Sequence, residues 1–240
     1  MKKSIFWDFD GTLTYPNGGI WSGSLYKVLK DRRYDVELEK VRELMRSGYT
    51  WHRHEDSYVT NTGQKWWDNL FRHLQPFYEK HMIPQGDLEN INADFKRRIL
   101  SVELYTLYED AEAVLRECGE MGYTNYILSN NFPELSLIIE GLGIAQYFAD
   151  YVVSAKIGYE KPRAELFQYA LSLAGSPDIS YMVGDNPVAD IQGGKAAGMT
   201  TILVHKDGDF NADFMCGSLS EIPLLLREAE NGKRTSSKPN

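Results

Sequence analysis

Cysteine is scarce in this chain, which holds two, Cys118 and Cys216, in 240 residues. They are far apart, with no second pair and no metal-ligand spacing, which excludes a disulfide framework and a thiolate metal site. Both read as reduced thiols, Cys118 on an apolar helical face, and this suits a cytoplasmic protein. Long apolar runs are also missing. After Met1-Lys2-Lys3-Ser4 the apolar stretch Ile5 to Trp7 ends at Asp8, too short for a signal peptide or a membrane span. Nor is there an excess of positive charge: 26 basic residues face 34 acidic ones, for a net −8 and a pI near 5.2. Nucleic acid and anionic membrane are therefore not expected as partners. No internal repeat or low-complexity segment occurs. Composition leaves the oligomeric state open.

What is present is an ordinary globular composition, 42% hydrophobic and 25% charged, in a chain long enough for a proper core. Its charge is uneven. Tyr15 to Leu107 carries 14 basic residues against 13 acidic, and the remainder 12 against 21. The acidic part contains the first notable stretch, Ile5-Phe6-Trp7-Asp8-Phe9-Asp10-Gly11-Thr12-Leu13-Thr14. A short apolar run of this kind forms a buried strand. Asp8 and Asp10, two apart on an extended chain, project to the same side. Gly11 lets the backbone turn away, and Thr12 brings a hydroxyl close by. Two carboxylates so placed repel unless a cation or a shared proton relieves them. An acidic pair alone also fits an ordinary turn, so partners elsewhere must decide.

After Thr14 the pattern turns helical for about 90 residues, too long for a plain loop. Tyr15 to Gly19 reads as a turn-rich linker. Helices are expected over Ser24–Arg32, Val36–Arg46, Gln64–Leu74, Pro76–His81 and Leu88–Leu100, with Asp35 and Asp87 as N-caps and Gly48 as a stop. This insert holds Trp21, Trp51, Trp66 and Trp67 and four of the five histidines, and reads as an all-helical subdomain over 15–107. From Tyr108 helices alternate with short apolar strands: Tyr126–Leu128, Tyr151–Val153, Tyr181–Val183 and Thr200–Val204. That rhythm implies an α/β core with a doubly wound parallel sheet, formed by 1–14 and 108–227. Residues 228–240 read as a disordered tail.

Three later strands end in useful chemistry. Ser129, with Asn130 and Asn131, follows Tyr126–Leu128 and leads into a helix; this reads either as a phosphate cradle or as a simple N-cap. Lys161 precedes Pro162, which bars it from helical geometry and lets its side chain point into the sheet's mouth, although a lone lysine is ordinarily solvated. Asp185 and Asn186 follow Tyr181–Val183, and Asp190 lies a turn further on. Carboxylates without nearby thiols or histidines suit a hard cation such as Mg²⁺. Gly193, Gly194, Ala196 and Ala197 would let their helix lie close on the sheet.

In this order the motifs Asp8-Phe9-Asp10-Gly11-Thr12-Leu13, Leu128-Ser129-Asn130, Lys161-Pro162, and Gly184-Asp185 with Asp190 resemble the haloacid dehalogenase-like hydrolase superfamily. The helical insert looks like that family's type-1 cap. The resemblance implies a Mg²⁺-dependent phosphatase acting on a small phosphorylated metabolite. In it Asp8 would be the nucleophile that forms an aspartyl-phosphate, and Asp10 the general acid/base. Ser129, Asn130 and Lys161 would hold the phosphoryl group, with Lys161 offsetting the charge on Asp8. Mg²⁺ would be held by Asp8, the Asp10 carbonyl and Asp185, supported by Thr12, Asn186 and Asp190. The carboxylate at Asp10 sets the chain apart from the dehalogenases of the family, which lack one there. A phosphomutase on the same core, or a non-catalytic phosphate- or partner-binding module, are the alternatives. In the insert, Trp51, His52 and Arg53 form a candidate specificity loop, while Trp66, Trp67 and Phe71 at helical spacing read as cap core.

Overall fold

The computed structural model describes residues 1–15, 19–48, 53–208 and 210–236, the side chains of Gly48 and of 232–236 excepted. Among these residues six parallel strands form one sheet, in the order β3-β2-β1-β4-β5-β6. The strands are β1 (Lys3–Trp7), β2 (Thr124–Ser129), β3 (Phe148–Val153), β4 (Ile179–Gly184), β5 (Thr200–Val204) and β6 (Phe214–Cys216). Of these, β6 has no counterpart in the sequence reading, since three residues carry too little periodicity to register. The central strand β1 is buried on both faces: Ile5 and Trp7 pack into one layer and Phe6 into the other. This is the condition under which a continuous apolar run makes a parallel strand.

Register decides where the chemistry lands. Trp7 lies opposite Ile127 of β2 and Val183 of β4. Asp8, Ser129 and Asp185 therefore emerge together at the carboxyl edge, beside the centre of the sheet, where open α/β sheets place their ligands.

Between β1 and β2 the chain forms α1 (Ile20–Asp31), α2 (Leu38–Gly48), α3 (Gln64–Lys80) and α4 (Leu88–Ile99), and then α5 (Ala111–Glu120) leads into β2. The chain leaves and re-enters the sheet layer at paired positions. Thr14 bridges Leu107, and the Tyr15 and Tyr108 amides bond Thr106 and Leu13 carbonyls at 2.9 and 3.0 Å. Beyond β2 come α6 (Leu135–Gly141), α7 (Ser154–Ile157), α8 (Ala164–Leu173), α9 (Gly193–Ala196) and α10 (Ile222–Ser236). A Cβ on Gly193 would stand 2.4 Å from Phe167, and one on Gly194 2.9 Å from Thr201, so these glycines do let α9 lie against its neighbours. None of the described helices is long and apolar enough to cross a membrane.

Three boundaries differ from expectation for identifiable reasons. The helix α3 runs through Pro76, where the sequence suggests two helices. Proline removes one backbone hydrogen bond, but the buried stripe Trp66, Leu70, Leu74, Phe77 continues across it and holds the helix together. Asp87 does not cap α4 with its side chain; its carboxylate accepts the Tyr34 hydroxyl instead. The expected tail is helical as far as Ser236, and Glu230 accepts from Lys3 Nζ and the Tyr123 hydroxyl, each at 2.8 Å. A polar stretch with a partner more than 200 residues away cannot be told from a tail by composition.

Candidate active site

The turn after β1 is built to present two carboxylates. Phe9 is fully buried, which directs its neighbours Asp8 and Asp10 to the opposite side. The Phe9 carbonyl accepts the amides of Thr12, Leu13 and Thr14 at 3.3, 3.0 and 3.1 Å, closing the loop on itself. Gly11 has φ +83°, and a Cβ there would meet the Asp185 carboxyl at 2.8–3.0 Å; conformation and space both call for glycine.

Lys161 is 2% exposed and spends all three ammonium protons. Its Nζ lies 2.8 Å from Asp8 Oδ1, 2.6 Å from Asp190 Oδ1 and 2.8 Å from the Leu128 carbonyl. Burial alone would pull the lysine down, but Asp190 and Asp8 outweigh it and hold the ammonium charged. Asp190 also accepts the Asn186 amide at 2.9 Å, so both its oxygens are engaged. Burial pushes Asp190 up and Lys161 pulls it back, and the 2.6 Å contact is that of an ionised pair.

The Asn130 side chain is committed within the protein, leaving its backbone amide for a ligand. Its side chain clamps the Lys161 backbone, accepting from the amide at 2.7 Å and donating to the carbonyl at 3.0 Å. Asn186 likewise caps its own turn, accepting the Val188 and Ala189 amides at 3.0 Å. Ser129, 1% exposed, ends β2 and lines the cavity. Thr12 is fully buried and does not line it; its carbonyl meets His205 Nε2 at 3.1 Å.

Asp10 reaches into the open cleft, where Asn131 Nδ2 donates to it at 2.7 Å. The cleft walls strip water from its carboxyl and Asp8 repels its charge; against the Asn131 bond, the two push its pKa up to about 7. Burial, and then Asp8, also push Asp185 upward, opposed by Lys206 at 3.3 Å.

Carboxylate oxygens of Asp8, Asp185 and Asp190 lie within 4.8 Å of one another. This all-oxygen set fits a hard divalent cation; Asp8 and Asp185 are its less committed members, since Lys161 and Asn186 already hold Asp190. Around the cluster is a cavity of about 590 Å³, lined in addition by Trp21, His54, Tyr105 and Asn131. Trp51 and His52 fall outside the described residues. Arg53 is exposed, 3.9 Å from Asp56, and His54 rather than Arg53 lines the cavity. Trp66 and Trp67 are buried, with Phe71 against Trp67, as a cap core requires.

The sequence places Asn131 in the Ser129-Asn130-Asn131 run but gives no sign of its bond to Asp10, and nothing in it singles out Lys206. Lys206 lies two residues past the end of β5, whereas Asp185 directly follows β4.

Known proteins resemble this chain in sequence and in fold. The chain is 33% identical to the phosphoserine phosphatase of Thermus thermophilus over 148 residues, 59% of this chain and 58% of that one. Against the glyceraldehyde 3-phosphate phosphatase of Methanothermobacter thermautotrophicus it is 28% identical over 218 residues, 86% of this chain and 87% of the other. The fold matches that of the HAD-hydrolase YfnB of Bacillus subtilis, solved bound to magnesium, with TM-score 0.67 and 18% identity over 94% of this chain and 99% of that chain. A profile of the haloacid dehalogenase-like hydrolases covers residues 2–198, from β1 through the Asp190 turn, and so spans every strand end that supplies the cluster. The chain is a member of that hydrolase family.

Proposed function

We propose that this chain is a Mg²⁺-dependent phosphomonoesterase that transfers the phosphoryl group of a small metabolite to Asp8 and then to water. The observation that carries the reading is the division of labour between Asp8 and Asp10. Asp8 has a cation beside it, Lys161 Nζ at 2.8 Å from its Oδ1, as a carboxylate nucleophile needs. Asp10, two residues on, keeps a proton near neutral pH, as a general acid needs.

Asp8 and Asp185, with the Asp10 carbonyl and with Asp190 in support, are the groups that would hold Mg²⁺, which would supply positive charge against the phosphoryl oxygens. Lys161 holds Asp8 by one carboxylate oxygen, and the other attacks phosphorus. The bond from phosphorus to the alcohol oxygen breaks, and Asp10 gives that oxygen its proton. Ionised Asp10 then takes a proton from water as the water attacks the phosphoryl group, and Asp8 leaves as a carboxylate. Ser129 and the Asn130 amide hold phosphoryl oxygens, since the Asn131 and Phe132 amides already donate to Ser154 Oγ and Asn131 Oδ1. Asn130 and Asn131 act through others, Asn130 fixing Lys161 and Asn131 fixing Asp10.

The test is release of inorganic phosphate from a generic aryl phosphate with Mg²⁺, with EDTA, and by Asp8→Asn. Release that stops in the last two supports the reading. Turnover that survives Asp8→Asn would sink it. Conversion of a sugar phosphate to its isomer without phosphate release would point to a mutase.

A further inference from the structure

The strand-end motifs account for the polar part of the cavity. Much of the rest comes from Ile20, Trp21, His54, Tyr105 and Val188. The Trp21 ring is fixed by its packing against Trp66, Trp67 and Phe132, with centroids 6.0–6.2 Å away. Tyr105 commits its hydroxyl to the Ile99 carbonyl at 3.0 Å, which leaves ring rather than polar atom for the cavity. Among the described residues Lys161 is the one lysine or arginine in the lining, and its three protons are spent. The undescribed segments 16–18 and 49–52 contain neither residue type.

We infer that the alcohol part of the substrate is uncharged and carries a ring, seated against Trp21 and Tyr105, with His54 meeting one of its polar atoms. This rests on the phosphomonoesterase reading and narrows it. A carboxylate on that part would lose water to an apolar wall and lie near Asp10, and the lysines at hand are already taken, Lys161 by Asp8 and Asp190 and Lys206 by Asp185. A ring stacked on a fixed indole loses little side-chain entropy in binding. Aryl, benzyl and nucleoside-type esters fit this wall; phosphorylated hydroxy acids and phosphoserine do not.

The experiment compares benzyl phosphate with 4-carboxybenzyl phosphate, whose scissile bonds are alike, in the Mg²⁺-loaded protein. A preference of about tenfold or more for the uncharged ester, seen in KM, is expected. Calorimetry with the two corresponding phosphonates, which cannot be hydrolysed, should show the same ratio in Kd. Trp21→Leu should raise KM for benzyl phosphate several-fold with kcat within about twofold, and Trp21→Phe should restore most of the loss. Val188 is 43% exposed and tolerates a longer side chain, so Val188→Lys should improve the carboxylated ester about fivefold whether or not the Trp21 variants fold. Equal handling of the two esters and the two phosphonates would overturn the inference while phosphate release kept the hydrolase reading. Hydrolysis of neither ester, with the tenfold binding difference intact, would overturn the hydrolase reading and leave the ring site.

Discussion

The Tyr58 hydroxyl donates to Glu160 at 2.6 Å, across 102 residues of sequence, and both side chains are buried. The bond joins the helical insert to the loop that carries Lys161. Around it the Tyr58 amide bonds the Gly158 carbonyl, and the Gly63 amide the Ala155 carbonyl, each at 2.9 Å. Gly158 has φ +93°, and a Cβ there would stand 2.5 Å from the Val59 backbone, so the two segments approach as closely as the chain permits. Tyr58→Phe keeps the ring and leaves a buried carboxyl oxygen without this donor, a loss of roughly 1–3 kcal/mol. In a chain of this size that should lower Tm by about 2–12 °C, read by calorimetry. An unchanged Tm would show that this bond contributes nothing to joining the two parts.

Lys161 offers a sharper contrast between charge and bulk. It is the cation between Asp8 and Asp190, 2.8 and 2.6 Å from their carboxylate oxygens. Lys161→Met keeps most of the volume and leaves two buried carboxylates facing each other. Turnover should fall by about 10²-fold or more. The variant should also lose stability at pH 8 and recover part of it at pH 5, as the pair takes up a proton. Equal Tm loss at both values would mean that packing, not charge, is what the lysine supplies.

These residues also show how far a sequence can be read. Strand geometry makes the spacing of Asp8 and Asp10 a spatial statement and proline constrains Lys161, but an acidic pair also fits a turn and a lone lysine is ordinarily solvated, so these residues were legible through the order of the motifs together. Asp190 was legible as a carboxylate near the site, but its burial against Lys161 was not, since that depends on the packing of the Asp190 turn beneath β4. Tyr58 and Glu160 left no trace. Neither belongs to a motif, and only the docking of the insert brings them together. The same holds for Glu230 with Lys3 and Tyr123, where a polar stretch is ordered by partners far away in sequence. Local rules recover what local geometry determines, and the contacts between insert and core lie beyond them.

Lys206 stands 3.3 Å from Asp185, one of the three carboxylates that fit a divalent cation. A lysine there competes with a metal for the same oxygen. Titration of the protein with MgCl₂, followed by its thermal shift, should show a rise in Tm that EDTA reverses. Asp185→Asn should abolish the rise. Lys206→Ala should move the half-saturating Mg²⁺ concentration down several-fold, by removing a positive charge at close range. A Lys206→Ala titration that overlays the wild type would mean that the lysine only rests on the carboxylate.

Asp10 carries a cost that pH should expose. An aspartate in an unfolded chain titrates near 3.9, whereas the cleft and Asp8 push the folded group up to about 7. Between these values the folded protein holds a proton that the unfolded chain has released, so this group's contribution to stability declines as pH rises from about 4 to about 7 and is level beyond. Asp10→Asn cannot ionise, and its side-chain oxygen can still accept from Asn131. In EDTA its Tm should match the wild type near pH 4, exceed it increasingly up to about pH 7, and keep a constant lead above that. Its turnover should be lower by about 10²-fold or more at every pH, because the leaving oxygen has lost its proton donor. A Tm difference that stays flat from pH 4 to pH 8 would show that Asp10 titrates normally, and the case for it as a proton donor at neutral pH would fall with it. A growing lead together with lost turnover would mean that the fold tolerates a destabilising carboxylate at this position for the sake of the chemistry.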